Sequence, residues 1–154
     1  MIFLQKIKTG FAAGITAAIL DISGAIIVFA FILKLTTTEK LLQSVAAGAF
    51  GKNAYEGGWQ MALAGLFFHT CIAISFAFFY LLIYPAYKKI ISNPVIAGFI
   101  YGCFVWCVMN ILVLKIIVGK PITAKYIFPN ISILIIMVGI PIAVITDKYF
   151  KKYG

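Results

Sequence analysis

The sequence predicts an all-α integral membrane protein: a bundle of four transmembrane helices with a short amphipathic helix between spans one and two. Three observations carry that reading. Of 154 residues, 64% are hydrophobic and 11% are charged, whereas a soluble domain is about 45–50% apolar and about 25% charged. There is too little polar surface to cover one core in water. The apolar residues gather into four long runs, each bounded by Lys, Pro, Asn or Gly. Crossing a hydrocarbon layer of roughly 30 Å takes about 20 helical residues, so this length holds four spans and hardly a fifth. A single transmembrane domain over 1–154 is expected, with spans at about 10–33, 59–84, 95–118 and 130–147.

Span one begins after Lys6 and Lys8 and runs from Phe11 to Leu33. Its basic start resembles a signal peptide, but that signal has an apolar core of about 7–15 residues and a small-residue cleavage site. This run is longer, so it reads as a retained helix. In the connection over 35–58, Thr36 and Glu39 have capping-box spacing, and an amphipathic helix over about 37–50 should follow. Leu41, Leu42, Val45, Ala46, Ala49 and Phe50 share one face, with Glu39, Lys40, Gln43 and Ser44 elsewhere and Gly51 as terminator. The helix either packs over the mouth of the bundle or lies flat among headgroups. Tyr55-Glu56-Gly57-Gly58-Trp59 then supplies a turn and an interfacial Trp.

Pro94 falls in the first turn of span three, where its missing N–H costs nothing, and Pro129 is expected to open span four in the same way. Pro141, after Gly139, lies inside span four and should kink it. Lys115 can snorkel to the interface. Lys120, Lys125, Tyr149 and Tyr153 read as interfacial anchors.

The thirteen basic residues are all Lys and oppose four acids, for a net charge of +9. They are scattered over both ends of the spans and form no basic stripe, which argues against nucleic acid as a partner. Attraction to anionic headgroups of the lipid bilayer accounts for them more simply. With four spans the termini share a side. Lys6, Lys8, Lys88, Lys89, Lys148, Lys151 and Lys152 are on it, against six Lys opposite. The first set is packed into shorter segments, which points to cytoplasmic termini.

The informative residues are polar ones inside the spans: Asp21 in span one, His69, the sole histidine, in span two, and Asn110 in span three. Counting about 1.5 Å per residue from the span ends places all three within about one helical turn in depth. Small residues surround them at helical spacing. Ala17, Ala18, Gly24 and Ala25 flank Asp21; Gly65, Ala73 and Ala77 share the His69 stripe; Gly102, Cys103 and Cys107 share that of Asn110, with Phe99 and Trp106 the bulky exceptions. Gly10-xxx-Gly14 and Gly98-xxx-Gly102 have the spacing that lets membrane helices approach closely. The trio is therefore expected to point into the bundle, leaving Phe29, Phe31, Phe67, Phe68, Phe78 and Phe79 for lipid.

Two roles compete for the trio. As packing elements, Asp21, His69 and Asn110 would bond across helices at about 1 kcal/mol each. As a substrate-binding site, Asp21 and His69 would exchange a proton or bind a polar solute, since ionisable groups in mid-membrane are functional candidates by default. Thr70, Ser75 and Ser23 either extend that network or bond to their own helix backbone.

Cys71, Cys103 and Cys107 contain no C-x-x-C; they read as free thiols filling space, and no metal or other cofactor is implied. No nucleotide-binding, Ser-His-Asp or metal-hydrolase motif is present, so no enzyme activity is indicated.

The run Leu42-Gln43-Ser44-Val45-Ala46-Ala47-Gly48, then Gly57-Gly58-Trp59, Gly65, His69 and Ile72-Ala73, followed by Pro94-Val95, Gly98, Tyr101-Gly102 and Met109-Asn110, resembles a family of small bacterial four-span inner-membrane proteins. The resemblance covers about 14–114, includes Leu20-Asp21, and fades in the last span. It implies a bacterial inner-membrane location and offers no activity to carry over. Two expectations follow from the residues together. The first is a transport or permeation protein handling protons or a small polar solute at Asp21, His69 and Asn110, alone or as a homo-oligomer. The alternative is a structural or assembly subunit that packs against another membrane protein. A lipid-modifying enzyme ranks third, because it would need an acid-base pair nearer the interface.

Overall fold

The computed structural model describes residues 2–117 and 124–153. The chain is all-α. Helix α1 spans Phe3–Ile32, α3 Gly58–Ile90, α4 Pro94–Val113 and α5 Ala124–Tyr153; among the described residues these four are long and apolar enough to cross a membrane. Even the shortest, of 20 residues, reaches about 30 Å at 1.5 Å per residue. The protein is a polytopic membrane protein. Between the first two spans, α2 covers Thr38–Phe50 and is followed by a 3-10 turn, Gly51–Tyr55.

Helix ends follow local chemistry. Thr37 caps α2 by accepting from the Lys40 N–H at 3.2 Å, one residue later than the expected Thr36 cap. Glu39 does not complete a box; its Oε1 accepts instead from Gln43 Nε2. Gly51, with φ 66°, ends the helix as expected. Asn93 caps α4 by accepting from the Val95 and Ile96 N–H groups, with Pro94 in the first turn. Two prolines differ from expectation. Pro129 lies inside α5, which begins at Ala124, and α3 continues through Pro85 to Ile90, so the segment expected to be a loop after Tyr84 is largely helix. Pro141 sits just beyond a π-helical stretch, Leu134–Gly139, whose last bond runs from the Ile140 N–H to Ile135 O. Proline removes the next donor, and the wider register precedes that gap. Further π-helical stretches occupy Ile26–Ile32 and Cys107–Ile117.

Glycines set the helix spacing. A Cβ at Gly14 would stand 2.5 Å from Ile74 Cα, and one at Gly10 2.5 Å from the Phe78 ring, so this seam binds α1 to α3. Gly98 and Gly102 make the equivalent seam with α5, at 2.6 Å from Ile140 Cα and 2.5 Å from Ile135 Cα, and Gly139 answers them from the other side. Both pairs are antiparallel. Between α3 and α4 the spacing is aromatic: Tyr80 and Tyr101 meet edge to face at 4.6 Å, and Phe79 stacks on Phe104. Ala13, Ala17, Ala77, Tyr80, Tyr101, Val105, Val138 and Ile142 form the core.

Helix α2 packs on the start of α3, where Gly65 lies directly against the Leu42 carbonyl. Gln43, expected on the polar face, is 2% exposed and donates to Glu39 Oε1 and to Gly58 O. Phe31, Phe67 and Phe79 are exposed as expected, but Phe29 is buried against Tyr126. Tyr149, expected as an interfacial anchor, is also buried. Lys120 and the side chain of Lys115 lie outside the described residues.

Candidate functional site

The α1–α3 seam places two ionisable side chains together. With Gly14 and Ala17 on α1 facing Ala73 and Ala77 on α3, the backbones come close enough for His69 to reach across. Its Nε2 lies 3.1 Å from Ala18 O and 3.7 Å from Asp21 Oδ2, and the side chains are 13% and 17% exposed. A carbonyl oxygen only accepts, so Nε2 carries a hydrogen and donates it to Ala18. In the neutral ring, Nδ1 is then the nitrogen without a hydrogen. The carboxylate beside the ring supplies an opposite charge when the imidazole is protonated. Asp21 is about 16 Å from Ile32 along its helix, and His69 about 16 Å from Gly58, so the pair sits at matching depth.

Asn110 is engaged elsewhere. It lies in the π-helical stretch of α4, where its Nδ2 donates to Trp106 O at 3.2 Å and to Asn130 Oδ1 on α5 at 3.0 Å. Ile133 and Met137 face Gly24, one turn beyond Asp21 on α1, and Asn130 lies a further turn toward the end away from the termini. The asparagines therefore form a second polar layer rather than joining the Asp21–His69 contact. Thr70 and Ser75 bond to the carbonyls of Leu66 and Cys71 on their own helix and do not widen it.

A third polar layer escaped the sequence reading. Asp147, 2% exposed, accepts at Oδ1 from the Tyr84 hydroxyl and from Lys88 Nζ, both at 2.6 Å, while Oδ2 pairs with Lys151 Nζ at 2.8 Å. The cluster joins α3 to α5 at the end that carries the termini. The buried hydroxyls of Tyr80, Tyr87 and Thr146 have no hydrogen-bond partner among the described residues. A sequence signal existed: Asp147 and Lys151 are four apart, and Tyr84 and Lys88 are four apart once α3 continues past Pro85. Asn130 was legible only as a polar residue beside Pro129.

Among the described residues no three His, Cys, Asp or Glu side chains gather as a metal site, and Cys71, Cys103 and Cys107 are free thiols. No protein-family model, curated protein or solved structure matches the chain.

Proposed function

We propose that this protein moves protons, or a small polar solute whose binding is linked to a proton, through its bundle at Asp21 and His69, with Asn110 as a second polar step. One observation carries this reading: a carboxylate and an imidazole on facing helices, 3.7 Å apart, well inside the apolar length of both. An acid there costs about 2.5–3.5 kcal/mol on insertion scales, and burial of small residues around it would have been cheaper with an apolar side chain. The bond from His69 Nε2 to Ala18 O holds the imidazole beside the Asp21 carboxylate, so the two ionisable groups stay within reach of each other.

The resemblance read from the sequence supports a bacterial inner-membrane location, and seven Lys on the side of the termini against six opposite support cytoplasmic termini. Flux of protons or small polar solutes into proteoliposomes, followed by a trapped pH indicator or by solute uptake, tests the proposal. Asp21→Asn should abolish flux and leave the helices intact. Unchanged flux in that variant, or none from the wild type under any gradient tried, would count against transport.

The alternative is an assembly subunit that packs against another membrane protein or a second copy. The bond from His69 to Ala18 O, which pins α1 to α3 without any proton chemistry, favours it. In that case Asp21→Asn and His69→Ala lower thermal stability or complex yield, and a stable double mutant that still forms its complexes would eliminate it.

A further inference from the structure

At the end that carries the termini, two grooves open on the helix surface, and they differ in charge. One, between α3 and α5, is lined by Tyr84, Pro85, Lys88, Lys89, Phe150 and Lys151. Its Lys88 and Lys151 are already held by the Asp147 carboxylate. The other, a groove of about 320 Å³ between α1 and α5, is lined by Lys8, Lys148 and Lys152 above Ala12, Ile145 and Tyr149.

None of these three lysines has an acidic partner among the described residues. The sequence contains four acids. Asp21 is in mid-span, Glu39 and Glu56 are at the opposite end, and both oxygens of Asp147 are taken by Lys88, Tyr84 and Lys151. Lys8, Lys148 and Lys152 are exposed, with Lys152 over the Tyr153 ring at 5.2 Å. Among the described residues, three ammonium groups thus ring one depression with no carboxylate beside them.

We propose that this groove binds the phosphate of an anionic glycerophospholipid from the leaflet facing the termini. Charge complementarity selects an anion. The apolar floor selects a lipid over a free anion: Ala12 and Ile145 line it, and Ile15, about one turn from Ala12 on α1, is exposed and would lie along an acyl chain. The lysine stems can pack on that floor while their ammonium groups reach the phosphate. Each lysine near an anionic surface contributes about 1 kcal/mol, or roughly fivefold in affinity, so all three together amount to on the order of 100-fold.

The test uses the full chain in nanodiscs of phosphatidylcholine containing a minority of phosphatidylglycerol, with retained lipid counted by native mass spectrometry. The wild type should retain phosphatidylglycerol in preference to phosphatidylcholine. Replacing Lys8, Lys148 and Lys152 together by Gln should weaken retention on the order of 100-fold, and Lys148→Gln alone roughly fivefold, with thermal unfolding confirming that each variant is folded. Lys125→Gln, at the opposite end, should change nothing, and Lys89→Gln, outside the groove, should change retention much less than Lys148→Gln. Equal retention by the triple variant would overturn the proposal. So would equal loss in the two controls, which would mean diffuse surface charge, or displacement of the lipid by millimolar inorganic phosphate, which would make the site one for a free anion.

Discussion

The Tyr84 hydroxyl donates a 2.6 Å hydrogen bond to Asp147 Oδ1, and the same oxygen accepts from Lys88 Nζ, also at 2.6 Å. Two residues one turn apart on α3 therefore grip one buried carboxylate on α5. Breaking a fully buried ion pair costs roughly 3–5 kcal/mol. Here Lys88 and Lys151 can turn to water, so Asp147→Ala should cost less, about 2 kcal/mol. Tyr84→Phe removes one bond to a charged group and should cost about 1.5 kcal/mol. Thermal unfolding in a fixed detergent checks both, and losses indistinguishable from the wild type would show that the clamp contributes nothing.

That clamp marks where sequence reasoning reached its limit. Apolar run length and boundary residues suffice to specify an all-α bundle with a helix between the first spans, because the bilayer leaves helices few alternatives. Asp21 and His69 were legible as a pair because regular counting at 3.6 residues per turn holds along that part of α1 and α3. It fails beyond Trp106, where the π-helical register of Cys107–Ile117 changes which way Asn110 faces, and its partner Asn130 came from a helix expected to begin at Pro129. Pro85 concealed the third layer. Ending the second span at 84 separated Tyr84 from Lys88, although α3 carries both.

The glycine seams make opposite predictions for the same substitution. At Gly98 a Cβ would stand 2.6 Å from Ile140 Cα, a backbone atom that cannot move alone, whereas at Gly48 on α2 nothing lies within 4 Å. Gly98→Ala should destabilise by about 1–3 kcal/mol through overpacking. Gly48→Ala should be neutral or stabilise by about 0.5–1 kcal/mol, since alanine suits a helix interior better than glycine. Unfolding midpoints of the two variants, measured side by side, decide the matter.

The 3.0 Å bond between Asn110 Nδ2 and Asn130 Oδ1 predicts energetic coupling between α4 and α5. Hydrogen bonds between membrane helices average about 0.6 kcal/mol and reach about 1.7 kcal/mol. A double-mutant cycle of Asn110→Ala and Asn130→Ala should give a coupling energy in that range. Strict additivity of the two losses would mean the amides do not interact.

Gly65 lies against the Leu42 carbonyl, and Gln43 bonds to Gly58 O at 3.0 Å; together these hold α2 on α3. Gly65→Ala cannot be accommodated without lifting α2. Backbone hydrogen exchange over residues 38–50 should then accelerate while exchange in α4 and α5 stays unchanged. Unaltered protection of α2 would show that the helix is held by the interface instead of by this contact.

On the proposed function His69 has two separable tasks, and one substitution divides them. Its Nε2–H donates to Ala18 O at 3.1 Å, while the proposed relay would use Nδ1. Glutamine retains an N–H donor of similar reach and cannot take up a proton near neutral pH. His69→Gln should therefore keep the α1–α3 contact, with stability close to that of the wild type, whereas His69→Ala should lose about 1 kcal/mol. If the imidazole relays protons, flux should fall in both variants by roughly 100-fold or more, the scale of a lost acid-base group. Full flux in His69→Gln would remove the imidazole from proton handling and leave it only the bond that joins the two helices.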